Sequence, residues 1–296
     1  MSRSGLSLPS ALKRLTLQVL ARNFNYMALK WVVAIRGRVP RTAGVLLGLI
    51  PIIVLAGLWW YLTNGEVVEY RKVNPTILPS PVEVVNSVKQ LVTEREFVRH
   101  MGVSLRRVGL SYLLAAAVVL PLGILMGSLG SIRAIFAPTT TASGYIPIAT
   151  LVPLTMAWFG IGEFQKIFFL ALAFGIFLLP QVVNAIENVP DVYLRTARTL
   201  GASRLEQIWR VLIPIAMPDI WRSMRLAFGV GWTYLVLAEV VVMEDGLGYL
   251  IQMSQRRGPK EHIYLVILAI TVIAWIADLL WDRIGRLLFP YRGSRT

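Results

Sequence analysis

Cysteine is absent from the 296 residues, and histidine occurs twice, at His100 and His262. The first absence excludes disulfides, thiolate metal sites and cysteine nucleophiles. The two histidines stand far apart without a ligand-spaced companion, and are expected as interfacial residues rather than metal ligands. No G-x-x-x-x-G-K-[ST] stretch occurs, so nucleotide binding of the phosphate-loop kind is excluded from this chain. Acidic residues are scarce, 16 against 30 Lys and Arg, and none precedes Glu66. Charged residues of both signs make up 16% of the chain, too few to clothe a water-soluble globule. Without cysteine, paired histidines or a carboxylate pair inside an apolar run, an intramembrane enzyme has no residues to work with, and no catalytic or metal site is expected.

Apolar residues are plentiful: 56% hydrophobic, with a mean hydropathy of +0.63. That composition belongs to an integral membrane protein. The net charge of +14 points to orientation in a bilayer rather than to nucleic acid, because Lys and Arg gather at the ends of apolar runs instead of interleaving with aromatics along a polar face. Residues 1–43 form a basic segment with Arg3, Lys13, Arg14, Arg22, Lys30, Arg36, Arg38 and Arg41. Its part from 12 to 35 mixes these with Leu, Val, Trp and Tyr, as an amphipathic helix on an anionic leaflet does.

Residues 44–290 read as one all-α membrane bundle. Six nearly uncharged stretches lie at 44–63, 108–132, 134–162, 167–186, 226–243 and 263–281, each near the roughly 20 residues a spanning helix needs. The third is long enough to contain a break, for which Pro138, Pro147 and Pro153 offer places. An even number of spans between two basic ends places both termini in the cytoplasm. On the opposite side fall the loop 64–107, the turn "GIGEFQK" and the stretch "EDGLGYLIQMSQRRGPKEH". Arg106, Arg107, Arg256 and Arg257 run against a strict positive-inside count. In "LPSPVEVVNSVKQLV", Ser80 is expected to cap a helix that has Pro81 in first position.

Polar side chains inside spans turn toward protein or water. Candidates for lining a translocation path are Thr139, Thr140, Thr141, Ser143, Tyr145 and Thr150 on the third span, Gln181 and Asn184 on the fourth, and Trp232, Thr233 and Tyr234 on the fifth. For any one of them, helix-to-helix packing is the plainer alternative. Glu239, toward the outer end of the fifth span, is a candidate gate or the partner of an arginine on a neighbouring segment. Asp278 and Asp282, near the inner end of the last span, are expected to pair with Arg283 or Arg286.

One polar segment interrupts the apolar design: "YLRTARTLGASRLEQIWRVLIPIAMP", residues 193–218. Leu194, Ala197, Gly201, Leu205, Ile208 and Leu212 recur at helical spacing and predict one apolar face. Gly201 stands where a helix C-terminus needs a left-handed residue, and "SRLE" reads as a capping box opening a second helix. The spacing predicts a helical hairpin over 190–214, ending before Pro214. Pattern alone fits equally a knob for a partner and a hairpin lying on the membrane surface.

The hairpin resembles the cytoplasmic loop of ABC importer permeases, written E-A-A, three residues, G, nine residues, I, one residue, L-P. Arg195, Thr196, Ala197, Gly201, Val211, Ile213 and Pro214 occupy the corresponding positions. Arg195 and Thr196 depart from the pattern, so the family's acidic contact to its ATPase cannot be carried over. "LPSPVEVV", "SLRRVGLSYLLAAAVVLPLGILMG", "IPIATLVPLTMAWFGIGEFQKI", "ARTLGASRLEQIWRVLIPIAMPDI" and "LAEVVVMEDGLGYLI" resemble, in the same order, segments of the nitrate, sulfonate and taurine importer permeases. The resemblance implies six transmembrane helices of type I ABC importer topology in a bacterial inner membrane. It implies a coupling element comprising Arg195, Thr196, Ala197, Arg198, Leu200, Gly201, Ala202, Ser203, Val211, Ile213 and Pro214. It implies as partners a second permease subunit, identical or not, two cytoplasmic ATPase subunits that bind ATP and Mg, and an extracytoplasmic binding protein. The chain itself then binds no cofactor and catalyses nothing. The implied solute is a small oxyanion or sulfonate such as nitrate, taurine or an alkanesulfonate, with bicarbonate or an uncharged heterocycle still open. The alternative, a secondary transporter or channel, is disfavoured by the nearly charge-free spans and by a hairpin that it would not need.

Overall fold

A computed structural model describes residues 39–65, 71–241 and 244–291. The expected surface helix at 12–35 lies outside the described residues. These residues divide into two units, one ending at Lys72 and one beginning at Val73.

In the first unit, α1 (Arg41–Thr63) is apolar along its length despite Pro51 in its interior. Thr63 donates its hydroxyl to the Trp59 carbonyl at 2.8 Å, so the polar group that closes the helix is satisfied by the helix itself. The Lys72 ammonium stands 3.4 Å from the Tyr61 ring centre, a cation–π contact of the kind found near a membrane surface.

The second unit begins with two short helices, α2 (Pro81–Asn86) and α3 (Val88–Glu94). The expected cap is present: Ser80 accepts from the Glu83 amide while the Glu83 carboxylate accepts from the Ser80 amide. Then follow α4 (Phe97–Ser128), α5 (Gly130–Ser143), α6 (Leu151–Phe159), α7 (Glu163–Glu187), α8 (Asp191–Thr199), α9 (Arg204–Val241), α10 (Leu247–Arg257) and α11 (Glu261–Leu288). Five of these helices, α1, α4, α7, α9 and α11, are long and apolar enough to span alone. The expected third span is broken near Gly144 and Pro147. Its halves, Gly130–Ser143 and Ile148–Phe159, meet at 88°, and Pro147 leads into the 3-10 turn that starts the second half.

Two expected boundaries shift, and one expected ion pair takes a different partner. Helix α4 starts at Phe97, well before residue 108, because Arg107 is buried by ion pairing while Arg106 points outward, so neither charge stops the helix. The helix after Gly201 does not end before Pro214 but continues through it to Val241. Residues 207–212 are π-helical; this wider turn stands just where the Pro214 ring would otherwise crowd the carbonyl four residues back. Asp278 pairs not with Arg283 or Arg286 but with Arg225 of α9, whose Nε and Nη2 lie 2.5 and 2.6 Å from its two oxygens. Asp282 does take Arg286, at 2.5 Å, but also Arg225 Nη1 at 2.7 Å. The guanidinium fork of Arg225 thus bolts α9 to α11.

Lipid supplies no hydrophobic force between helices, so close packing must hold them. Gly123 and Gly127, four apart on α4, lie against Val182 and Ile186 of α7; a Cβ on either would fall 2.7 Å from a side-chain atom. Gly231 of α9 lies against the Phe174 ring of α7, where a Cβ would come within 2.0 Å. Around these contacts sit two buried clusters, one with Tyr112, Phe169, Phe174, Trp232 and Leu235, the other with Leu178, Val182, Ile186, Leu212 and Ile220. The core is therefore α4, α7 and α9.

Gly231→Ala is expected to overpack the α7–α9 contact and cost about 1–3 kcal/mol. The melting temperature of the solubilised protein should fall, and the fall should be largely reversed by adding Phe174→Leu. A Gly231→Ala protein as stable as wild type would show that these helices do not meet as described.

Candidate functional site

Helix α7 runs from Glu163 to Glu187, the hairpin follows, and α9 returns to Val241. The bundle therefore has two polar ends, one at the hairpin and one at Glu163 and Glu239.

At the hairpin end, α8 closes with Gly201 at φ +80°. The Ala202 amide donates to the Ala197 carbonyl and the Gly201 amide to the Arg198 carbonyl, both at 2.9 Å, which is the Schellman pattern. Ser203 then forms the capping box with Glu206, whose carboxylate accepts from the Ser203 amide at 3.0 Å. Gln207 ties the corner together: it donates to the Ala202 carbonyl at 2.9 Å and accepts from Arg198 Nε at 3.2 Å. Ala197, Ile208 and Leu212 are buried, the last two packing with Ile186 and Val189 at the end of α7. Leu205, expected on that face, instead points outward. With Leu200 82%, Leu205 69% and Trp209 68% exposed, the hairpin presents an apolar outer surface, flanked by the exposed Arg195 and Arg204. Near the start of α5, Arg133 pairs with Glu187 at the end of α7.

At the other end, Glu239 is fully buried, and three donors surround its carboxylate. Arg107 Nη1 lies at 2.8 Å, Ser104 Oγ at 2.7 Å, and the Gly248 amide at 2.9 Å. The Arg107 guanidinium, itself 1% exposed, is shared out completely. Its Nη1 also donates to the Asp245 carbonyl at 2.6 Å, while Nε and Nη2 grip the carboxylate of Glu163, the former at 2.9 Å. Buried Lys166 stands 3.5 Å from Glu163 and 3.3 Å from Glu244. Ser104 Oγ accepts from the Leu247 amide at 2.9 Å and His100 Nδ1 from the Gly246 amide at 3.0 Å. The turn from Glu244 to Gly248 is thus folded down onto Glu239. Gly246 adopts φ +112°, and a Cβ there would lie 2.3 Å from the Glu239 carboxylate; one on Gly248 would lie 2.6 Å from Glu239 Cβ.

Glu239 does pair with an arginine of a neighbouring segment, as the sequence suggests. Arg107, Ser104, Glu163, Lys166 and the two glycines escape a reading by apolar stretches, since all sit at span ends where charge is ordinary. The signal was there in two arginines inside an apolar flank and in the paired glycines of "EDGLG". Both histidines are buried within the protein. Among the path candidates, the hydroxyls of Thr139, Thr140, Ser143 and Thr150 donate to carbonyls of their own turns. Thr141, Gln181, Asn184 and Thr233 are exposed, Tyr145 stands fully outward at the break, and Tyr234 is half-buried. Trp232 belongs to the core. The structure does not gather these residues into one lined channel within a single chain. Among the described residues no group of His, Asp and Glu is arranged to hold a metal ion.

Removing one member of a buried ion pair costs roughly 3–5 kcal/mol, because the other is left uncompensated. Glu239→Gln is therefore expected to lower the melting temperature of the solubilised protein more than Glu163→Gln does, since Glu163 is half-exposed and water replaces part of what is lost. Equal effects would contradict the burial described.

Residues 119–292 match the family described as "Binding-protein-dependent transport system inner membrane component". The chain is 30% identical to the taurine transport system permease protein TauC of Escherichia coli over 90% of its own length and 94% of that protein's. It is 29% identical to the putative aliphatic sulfonates transport permease protein SsuC of Bacillus subtilis, over 83% and 87%. To the nitrate import permease protein NrtB of Leptolyngbya laminosa it is 26% identical, over 80% and 85%. Its fold is similar to an inward-facing MetNI methionine ABC transporter chain (TM-score 0.59, 20% identity, 64% of this chain and 95% of that one). It also resembles a bacterial ABC transporter chain involved in import of the polysaccharide alginate (TM-score 0.52, 17%, 90% and 98%). The chain belongs to the binding-protein-dependent inner-membrane components, and is a multi-pass, non-catalytic permease subunit of an ABC-type importer.

Proposed function

We propose that the hairpin at 190–214 is the element through which this permease is driven, seated on a cytoplasmic ATPase, and that the solute it passes is a small anion of the nitrate, sulfonate or taurine class. The observation that carries the first part is the construction of the hairpin. A Schellman turn and a capping box, back to back, close both helices, and the second helix runs without interruption into the core span α9. A displacement applied at Leu200, Leu205 or Trp209 is then passed along hydrogen-bonded backbone instead of being absorbed by fraying. A hairpin lying on lipid would not need this linkage. Basic residues at the hairpin and at both chain ends support cytoplasmic termini.

The assembly that follows from the family is a pair of permease subunits, two ATPase subunits that bind ATP and Mg, and an extracytoplasmic binding protein. The polar candidates on the exposed faces of the broken span and of α7 and α9 are then completed by the second permease subunit, identical or not, and the path lies between the two subunits. The solute class rests on the names of the relatives, TauC, SsuC and NrtB.

Gly201→Val tests the coupling role. A Cβ at Gly201 meets nothing within 4 Å among the described residues, so the expected penalty of about 1–2 kcal/mol comes from the positive φ alone. The protein should insert and accumulate normally, yet stimulate ATP hydrolysis weakly when the loaded binding protein is added. Gly201→Asn, which tolerates this conformation, should retain most of the stimulation. Normal stimulated hydrolysis in Gly201→Val would sink the coupling reading. Arg195 is exposed and has no ion-pair partner among the described residues, so an acidic contact on the ATPase is expected. Arg195→Glu should then reduce ATPase co-purification at low salt, and tighter association would overturn that contact.

A further inference from the structure

Two cations lie buried at the bundle end opposite the hairpin, and the carboxylate they share is half in solvent. Arg107 and Lys166 are 1% and 0% exposed, whereas the Glu163 side chain is 54% exposed. Arg107 turns one edge of its guanidinium inward, to Glu239 and the Asp245 carbonyl. Its other edge, Nε and Nη2, is presented outward and filled by the two oxygens of Glu163 in the parallel, two-bond geometry that guanidinium makes with planar oxyanions. Lys166 adds a second positive charge 3.5 Å from the same carboxylate. Among the described residues nothing ties the Glu163 side chain down beyond these two cations: it is the first residue of α7, preceded by Gly162.

Glu239 and Glu163 therefore play different parts on one arginine. Glu239 is enclosed by Ser104, the Gly248 amide and the Gly246 turn and cannot leave without unfolding that turn. Glu163 can swing into solvent by side-chain rotation alone, but doing so leaves Arg107 with Glu239 and Lys166 with Glu244 as their remaining carboxylates and empties the Nε–Nη2 edge of the buried guanidinium, which is costly unless another anion takes its place. A nitrate, sulfonate or carboxylate group has the oxygen spacing to do so.

We propose that Arg107 Nε and Nη2 together with Lys166 Nζ form an anion-receiving site, occupied by Glu163 at rest and by the oxyanion group of the entering solute during transfer. The inference rests on the reading of the solute as a small anion. It identifies Arg107 and Lys166 as the residues that select for negative charge at the mouth of the path, and Glu163 as the internal competitor that keeps the site closed to weakly binding ions. Glu239 and the glycine turn hold Arg107 in position without touching the solute.

Chemical rescue tests the site. In the intact permease–ATPase assembly, Glu163→Ala should melt below wild type. Added sodium nitrate or methanesulfonate should restore the melting temperature saturably in the millimolar range, at ionic strength held constant with chloride. Adding Lys166→Met to Glu163→Ala should weaken that rescue at least tenfold. No rescue, or the same rescue by chloride alone, would overturn the proposal by reducing the effect to charge screening. If Glu163→Ala does not assemble, Glu163→Gln, which keeps the volume and removes the charge, takes the same measurement with the same two readings. Transport supplies a second arm: Lys166→Met is expected to lower the number of anions imported per ATP hydrolysed at least threefold, and an unchanged ratio would overturn the role in transfer. A wild-type assembly that imports an uncharged solute and no anion would refute the solute class instead, while the rescue result would still decide whether the anion site exists.

Discussion

Burying the Glu239 carboxylate imposes more on this molecule than any other single interaction. A carboxylate in a low-dielectric interior stays charged only if donors surround it, and here there are three: Arg107 and Ser104 on α4 and the Gly248 amide at the start of α10, with the Glu163 carboxylate of α7 accepting from the other edge of Arg107. The same constraint explains the two glycines of the turn, since any Cβ at Gly246 would occupy the space of the carboxylate. The end of the three core helices opposite the hairpin is therefore held by charge and hydrogen bonds, while their middle is held by glycine contacts that let backbone meet side chain.

The two polar ends are joined by one helix. Helix α9 carries the capping box at Ser203 at one end and Glu239 near the other, and between them it packs on α7 through Gly231 and on α11 through Arg225. A π-helical stretch before Pro214 keeps this helix continuous where proline would usually end it. In the proposed coupling role the continuity matters, because a subunit that hydrolyses nothing would receive its work mechanically. A tilt imposed on the hairpin reaches the span that bears Glu239 without crossing a loop.

Much of this was legible beforehand. Local chemistry fixes local conformation, so Gly201, the Ser203–Glu206 box and the Ser80–Pro81 start could be read residue by residue, and each is present in the fold. Apolar length located the spans and the broken third one. Where the reading failed, a neighbour distant in sequence had decided the outcome: Asp278 had a closer candidate in Arg283, but α9 brought Arg225 to it, and Leu205 shared the spacing of the buried face yet points outward.

The sequence by itself determined the solvent the protein lives in, the number of apolar stretches, the hairpin with its caps and, through its order of motifs, the family. These depend on composition and on residues within a turn of one another. Only the tertiary structure decided which charges meet. Ser104, Arg107, Glu163, Lys166, Glu239 and Gly248 are spread over the greater part of the bundle, and each looks ordinary at the end of its own span. Their meaning arises when α4, α7 and α9 close on one another, because in a medium without water every buried charge must find its partner inside the protein.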